Sequence, residues 1–271
     1  MEEQHLLLVT KLVNWLAGKP VLWLLTALRL KVKNPEYPIP NHMAMELLVF
    51  ALAVVFFLWL KRRLSVDRPG ATQLCAEMLL TNPMGVGAGD LLGDIVGHDG
   101  KRYLPMIGSI GLFVLLSNLI SLIPGLESPT AQSSVPLGCA LTVFLYYNWC
   151  GIRKHGPLRY SKHFLGPVLP LAPIMLPIEI VSNLARLLSL TVRLWVNMLV
   201  SELLYVLFLG LTLALFLSGR EASPFWNILV VVPLFGPVVF IALHIFVGIL
   251  QAFVFTLLPI IYVSGAVAEE H

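Results

Sequence analysis

Stretches of apolar residues alternate with shorter, charge-bearing stretches along the whole chain. Three apolar stretches, at residues 43–60, 103–125 and 135–152, approach the length of about 20 residues that a helix needs to cross a bilayer. They predict three transmembrane helices. Residues 6–30 mix apolar blocks with Lys11, Asn14, Lys19 and Pro20, a pattern that fits either an interfacial helix or a weak span.

The C-terminal part of the chain carries two apolar stretches that are longer than one crossing. Residues 178–218 contain no proline and one glycine, Gly210; as a single helix they would reach roughly 60 Å, whereas the hydrocarbon core is about 30 Å thick. Residues 222–268 carry no Asp, Glu, Lys or Arg, and Pro233 and Pro237 predict an interruption there. We therefore expect a hairpin of two long, strongly tilted intramembrane helices.

Composition argues against a soluble protein. The chain is 58% hydrophobic and 12% charged, against about 25% charged residues in soluble domains, and its mean hydropathy is +0.85. No linker or repeat divides the sequence, which predicts one all-α, polytopic membrane domain over residues 1–271. Within it we expect an N-terminal segment (1–42), three spans with cytoplasmic loops (43–163) and the hairpin (164–271), with residues 64–100 as an aqueous loop.

Basic residues gather at the ends of the predicted spans, and the net charge is only +3. This distribution reports topology and predicts no nucleic-acid partner. Because basic residues mark the cytoplasmic side, the basic residues within 61–68, 101–102 and 153–162 place the N-terminus outside the cytoplasm and the C-terminus inside. Basic residues within 1–33 oppose this assignment. The first residues lack the features of a secretory or transit peptide, which favours a bacterial plasma membrane.

Four charged side chains lie within the first long stretch: Glu179, Arg186, Arg193 and Glu202. Each costs at least about 2.5 to 3.5 kcal/mol at bilayer depth, so such residues usually face a partner or water and mark an ion path. Helical periodicity places Glu202 roughly 180° from Arg193, so the two should meet different surroundings. One polar face is shared by Ser182, Arg186, Ser189, Arg193, Asn197 and Ser201.

A second polar stripe, His244, Gly248 and Gln251, follows helical spacing on the last apolar stretch. Together the stripes suggest a hairpin that encloses water. Other interpretations stay open: polar stripes also serve as contacts between membrane helices, Arg186 can snorkel to a headgroup, and His244 can be a packing histidine. From the residues alone, the prediction is an intramembrane ion path.

Enzyme chemistry finds little support in the sequence. Cys75, Cys139 and Cys150 lack metal-ligand spacing and are interpreted as free thiols. The histidines are scattered without a His-Glu-x-x-His set, and no phosphate-cradling Gly-x-x-x-x-Gly-Lys-Ser/Thr loop is present. We therefore predict no metal, no cofactor and no catalytic site within this chain.

The run Ser-Leu-Thr-Val-Arg-Leu-Trp-Val-Asn-Met at 189–198 resembles the signature of ATP synthase subunit a, in which Ser-Leu-x-x-Arg-Leu-aromatic-Gly-Asn-Met surrounds an essential arginine. The resemblance extends over roughly residues 40–271. It includes Glu202, the seven-residue separation of His244 and Gln251, and the segments at 101–105, 118–124, 250–255 and 268–271.

By this resemblance, Arg193 corresponds to the arginine that faces the carboxylate of each passing subunit c and separates two proton half-channels. The implied periplasmic half-channel residues are Asn197, Glu202, His244 and Gln251, and the implied cytoplasmic ones are Glu179, Ser182 and Ser189. The resemblance also implies a non-catalytic subunit of an F-type ATP synthase whose partners are the ring of subunit c, the peripheral-stalk subunit b and the rest of the complex.

The sequence departs from the family pattern at several positions. Val196 and Ser201 stand where glycine is usual, and Gln132 stands where aspartate is frequent. The interval from Arg193 to Gln251 is longer than in some relatives, which we assign to the loop around 219–221. An alternative is a stand-alone secondary transporter that uses the same buried charges, although the inverted repeats of such proteins are not visible. Copurification with a multimeric ring would distinguish the two.

Overall fold

In the computed structural model the described part of the chain is almost wholly helical. The structure describes residues 8–27, 36–65, 69–81, 87–97, 99–123, 126–158, 160, 172–218 and 224–268. The helices are α1 (Leu8–Ala27), α2 (Asn41–Arg63), α3 (Ala71–Leu80), α4 (Ala88–Val96), α5 (Leu104–Leu119), α6 (Ser134–His155), α7 (Ala172–Ser218) and α8 (Pro224–Val267). Short 3-10 turns lie at Gly100–Tyr103, Ile120–Leu122 and Pro129–Ala131.

Five of the described helices are long and apolar enough to cross a membrane: Asn41–Arg63, Gly100–Leu122, Ser134–His155, Pro173–Ala214 and Val238–Val267. The three predicted N-terminal spans are confirmed to within a few residues at each end. The chain is therefore an all-α, multi-pass membrane protein. Helix α1 is not among the five.

Helix α1 turns its polar side inward. Thr10 and Asn14 are buried, whereas Leu12, Trp15 and Leu16 are exposed. The Asn14 amide donates to the carbonyl of Ile39 at 2.9 Å and accepts the Ile39 N–H at 3.0 Å. These two bonds fix α1 against the segment that leads into α2.

The segment predicted as an aqueous loop, 64–100, contains two short helices, α3 and α4, neither of which is among the candidate spans. Leu92 of α4 is fully buried and belongs to a core cluster with residues of α5, α6 and α8, against which Ile95 and Val96 also pack. Leu92, Ile95 and Val96 fall on one face of a helix, while Asp90 and Asp94 fall on another. Helix α4 is thus amphipathic, but it is too short for the composition of the segment to reveal it.

Helices α7 and α8 form the predicted hairpin. They contain 47 and 44 residues, which correspond to about 70 and 66 Å. Three contacts show that they run antiparallel: Arg186 stacks on Tyr262, Asn197 bonds to Gln251 and Phe208 lies against Phe240. The link around 219–221, where a longer interval was predicted, lies outside the described residues.

Both long helices tolerate proline better than we predicted. Helix α7 begins at Ala172 and contains Pro177, and α8 continues through Pro233 and Pro237 without the predicted interruption. A proline removes one backbone donor, whereas ending a helix at membrane depth would leave several backbone groups without partners. A continuous helix therefore costs less free energy than a helix that ends at these prolines.

Helix α8 occupies the centre of the bundle and packs against α4, α5, α6 and α7. A buried apolar seam joins α5, α6, α7 and α8 through Leu190, Leu194, Met198, Val114, Ala140, Ala252 and Phe255. The seam fixes the rotation of α7, and with it the direction in which each polar side chain of α7 points.

Candidate functional site

Arg193 lies on the outer side of α7. Leu190 and Leu194 beside it are buried, while Val192 and Val196 are exposed. The Arg193 guanidinium is exposed and donates to the Ser189 hydroxyl, one turn earlier, at 3.4 Å. A permanent cation therefore stands on a largely apolar outer face of the hairpin.

The two predicted polar stripes meet between α7 and α8. Asn197 Nδ2 donates to Gln251 Oε1 at 3.2 Å. Gln251 is completely buried, and its amide nitrogen has no hydrogen-bond acceptor among the described residues. Ser201, at a position where glycine was expected, donates to the carbonyl of Asn197 at 2.8 Å. Its hydroxyl is thus used within its own helix.

Glu202 belongs to a buried polar network that we call the Glu202 cluster, formed by Glu202, Ser117, Asn118, Ser121, Ser128, Thr130 and His244. The Glu202 carboxylate accepts the backbone N–H of Ser128 at 3.0 Å. Ser128 Oγ donates to the Ser117 carbonyl at 2.9 Å and lies 2.7 Å from Thr130 Oγ1. Thr130 in turn donates to Asn118 Oδ1 at 2.8 Å.

His244 closes this cluster from α8. Its Nε2 lies 3.0 Å from the carbonyl oxygen of Asn118 and 3.0 Å from Ser121 Oγ. Because a carbonyl oxygen only accepts, the short contact to Asn118 requires a proton on Nε2. The geometry therefore assigns a donating Nε2 to His244 and links it to Glu202 through Asn118, Thr130 and Ser128.

A second network, which we call the Glu179 cluster, comprises Glu179, Asn183, Arg186, Tyr147 and Tyr262. Asn183 donates to the carbonyl and to the carboxylate of Glu179, at 3.0 and 3.4 Å. The Tyr147 hydroxyl donates to Asn183 Oδ1 at 2.8 Å. Arg186 stacks over the Tyr262 ring, 5.4 Å from its centroid, so its guanidinium is held between α7 and α8.

Along α7, Arg193 lies between the two clusters. Glu202 follows it by nine residues and Glu179 precedes it by fourteen, or about 14 and 21 Å along a helix. The predicted difference in direction is confirmed: Glu202 faces the connection between α5 and α6, whereas Arg193 is on the outer surface. Ser182 is half-buried on the same helix.

Sequence reasoning missed the residues that connect the predicted ones. Asn118 and Thr130 are fully buried, but their partners come from other elements, and no spacing along the chain reveals this. Polar residues inside or beside apolar spans were the available signal for Asn118, Asn183 and Tyr147. Gln132, where aspartate was expected, is exposed directly after the turn that holds Thr130.

In the part of the chain that the structure describes, no three His, Cys, Asp or Glu side chains lie close enough together to hold a metal ion. Cys139 and Cys150 are free cysteines, as predicted. The side chain of Cys75 lies outside the described residues.

The fold and the two clusters define a class: a multi-pass membrane protein with buried polar networks on both sides of an arginine. Comparison with known proteins identifies the family. The family model described as ATP synthase A chain matches residues 43–264. The chain therefore belongs to the ATP synthase A chain family.

Individual relatives agree with this assignment over most of their length. The chain is 44% identical to ATP synthase subunit a of Solibacter usitatus (strain Ellin6076), covering 86% of this chain and 90% of the relative. It is 39% identical to ATP synthase subunit a of Koribacter versatilis (strain Ellin345), covering 98% and 99%. Identity to ATP synthase subunit a 1 of Syntrophotalea carbinolica is 41%, over 85% and 87%.

Proposed function

We propose that this chain is the stator ion-channel subunit of an F-type ATP synthase in a bacterial plasma membrane. It provides two proton half-channels to a rotating ring of subunit c, and Arg193 separates them. It is not catalytic by itself and assembles with the ring, with peripheral-stalk subunit b and with the rest of the complex. The N-terminus lies outside the cytoplasm and the C-terminus inside.

The observation that carries this proposal is the position of Arg193 between two polar clusters on one helix. Its exposed guanidinium stands among exposed apolar side chains such as Leu188, Val192, Val196 and Val200. Such a surface suits an apolar ring that carries one acidic group per subunit. The Glu202 cluster supports an entry path with Asn197 and Gln251, and Glu179, Ser182 and Ser189 support the exit.

The chemistry follows from the cost of burying charge. A proton that enters through Glu202 and His244 neutralises a ring carboxylate, which can then face lipid without the desolvation cost of an anion. After nearly a full turn the acid meets Arg193 and the exit, where its ionised form is stabilised and the proton leaves past Glu179. Arginine stays protonated in proteins, so it blocks direct transfer between the half-channels.

The decisive experiment replaces Arg193 by Ala in the assembled complex. We expect ATP synthesis driven by a proton gradient to fall to background, since the ring carboxylates lose the cation that separates the two paths. Arg153→Ala, which removes an exposed cation at the end of α6, serves as the matched control and should retain synthesis. Coupled synthesis at the normal rate in Arg193→Ala would refute the proposal, as would purification of an active chain without a ring.

A further inference from the structure

The Glu179 cluster contains two buried residues that neither the polar stripe nor the family resemblance assigned to the ion path. We propose that Asn183 and Tyr147 are positioning residues that hold the Glu179 carboxylate in a proton-accepting orientation on the exit side. This inference rests on the proposed function, because it presumes that Glu179 receives protons from the ring.

Burial makes this pair costly unless it is fully bonded. Tyr147 is 3% exposed and Asn183 is 7% exposed, and unpaired amides or hydroxyls in such surroundings are destabilising. The 2.8 Å bond from Tyr147 to Asn183 joins α6 to α7. Apolar side chains of the same size could fill this seam, so the polar pair needs a reason beyond packing.

The three contacts of Asn183 select one orientation of its amide. Nδ2 faces two oxygens of Glu179, and Oδ1 faces the Tyr147 hydroxyl. A reversed amide would place Oδ1 against the Glu179 carbonyl and carboxylate, which only accept when the acid is ionised. Tyr147 therefore acts as the donor, and its hydroxyl holds the amide so that Nδ2 points at Glu179.

Further charged and titratable groups surround the pair. Arg186 lies on α7, one to two turns beyond Glu179, and stacks on Tyr262. The Tyr262 ring lies 5.6 Å from that of Tyr147, and Tyr160 follows α6 and donates to Asn148 at 3.1 Å. Glu179 is thus the acidic member of a cluster whose other members are aromatic, amide or cationic.

The orientation has a direct consequence for proton transfer. A ring carboxylic acid opposite Arg193 gives its proton to water in the exit path and becomes a carboxylate, the water passes a proton on to the Glu179 carboxylate, and Glu179 then releases it to water at the exit. The amide donor holds the Glu179 carboxylate in the position where it can accept the next proton. Without that donor, the carboxylate can turn to another rotamer and exit slows.

Passive proton flow through the membrane sector tests this inference. The experiment uses inside-out vesicles that carry the complex after its catalytic sector has been removed, so that the exit side faces the external medium. A potassium diffusion potential drives protons through the membrane sector. Tyr147→Phe removes one oxygen and keeps the ring, and Asn183→Leu removes the amide. We expect each variant to lower the rate of proton flow about threefold to tenfold, which is the effect of one lost hydrogen bond. Both variants should shift the dependence of this rate on external pH, and in the same direction as each other.

Tyr146→Phe is the matched control, because Tyr146 precedes Tyr147 on α6 but packs against Tyr103. It should change neither rate nor profile. The double variant Tyr147→Phe/Asn183→Leu should be no slower than Asn183→Leu, since both changes act through one amide. Normal flow in Tyr147→Phe, an equal effect of Tyr146→Phe, or a lower rate with an unmoved pH profile would each overturn the inference.

Two reference variants separate this inference from the proposed function. If Glu179→Gln and Arg193→Ala behave as the unchanged protein, the proposed exit path itself fails. If Glu179→Gln lowers flow and Arg193→Ala changes it in either direction, while Tyr147→Phe and Asn183→Leu leave it unchanged, only the positioning role is wrong.

Discussion

The two polar clusters flanking Arg193 are built differently. In the Glu202 cluster, Ser117, Asn118 and Thr130 are fully inaccessible, and Glu202 is bonded to a backbone N–H of the connection between α5 and α6. In the Glu179 cluster, long side chains bridge helices, and Glu179, Arg186 and Tyr262 are only half-buried. One acid is held by the backbone of a closed turn, and the other by side chains that can change rotamer.

This difference suggests different tolerances to change. Loss of a partner in the Glu202 cluster leaves groups that water cannot reach, and each such group costs about 1 to 3 kcal/mol. In the Glu179 cluster, Tyr147 and Asn183 are buried, but a partner lost at the half-buried Glu179, Arg186 or Tyr262 can be replaced by water. The first cluster should therefore govern stability as well as proton flow, and the second chiefly proton flow.

Asn118→Leu should have the largest effect. It leaves the Thr130 hydroxyl without its acceptor and the Gly248 carbonyl without the Asn118 donor at 3.4 Å, which should destabilise the chain by about 3 kcal/mol. The thermal midpoint of the detergent-solubilised complex measures this change. Glu179→Gln, which changes the half-buried acid of the other cluster, is the comparison and should lower the midpoint much less; equal losses would show that the two clusters do not differ in this way.

Thr130→Val should have an intermediate effect. The substitution keeps the shape of the side chain but removes the donor to Asn118, so we expect a loss of about 1 to 2 kcal/mol and a lower rate of ATP-driven proton pumping. Thr142→Val provides the control, since Thr142 is exposed and donates within its own helix to Gly138. A midpoint as low for Thr142→Val as for Thr130→Val would contradict the role given to the buried turn.

Gly248→Ala should have the smallest effect. A methyl group there would lie 3.3 Å from Cβ of Asn118, and the hydrogen bonds of Asn118 prevent it from moving away, so we expect a loss of up to about 1 kcal/mol. At Gly108 an added methyl group meets nothing within 4 Å, and Gly108→Ala should be neutral or stabilising because alanine favours helix. The difference in thermal midpoint between the two variants checks the closeness of α5 and α8.

The spans could be predicted because each repeats one simple signal. Long apolar runs at 43–60, 103–125 and 135–152 dominate their surroundings, and Arg186 and Arg193 stand out against such a background. Helix α4 was missed because Leu92, Ile95 and Val96 span barely more than one turn between charged residues. The predicted interruption at Pro233 and Pro237 was wrong because leaving backbone groups unpaired in a membrane costs more than keeping proline within a helix.

The site was only partly predictable, for a physical reason. Periodicity within one helix correctly separated the directions of Arg193 and Glu202. It could not place Ser128 beside Glu202 or Tyr147 beside Asn183, because those contacts join residues 74 and 36 positions apart. Such pairs depend on helix packing, which one helix's pattern does not encode.

The central position of α8 has a consequence for biogenesis. Helices α4 to α7 all pack against a segment that leaves the ribosome after them, and Lys154 of α6 reaches the Val267 carbonyl at the far end of α8. Until α8 inserts, Asn118 lacks its partners Gly248 and His244, and the buried seam of α7 lacks Ala252 and Phe255. The nascent chain is therefore vulnerable to membrane proteases until α8 has inserted, and the bundle can close only after that step.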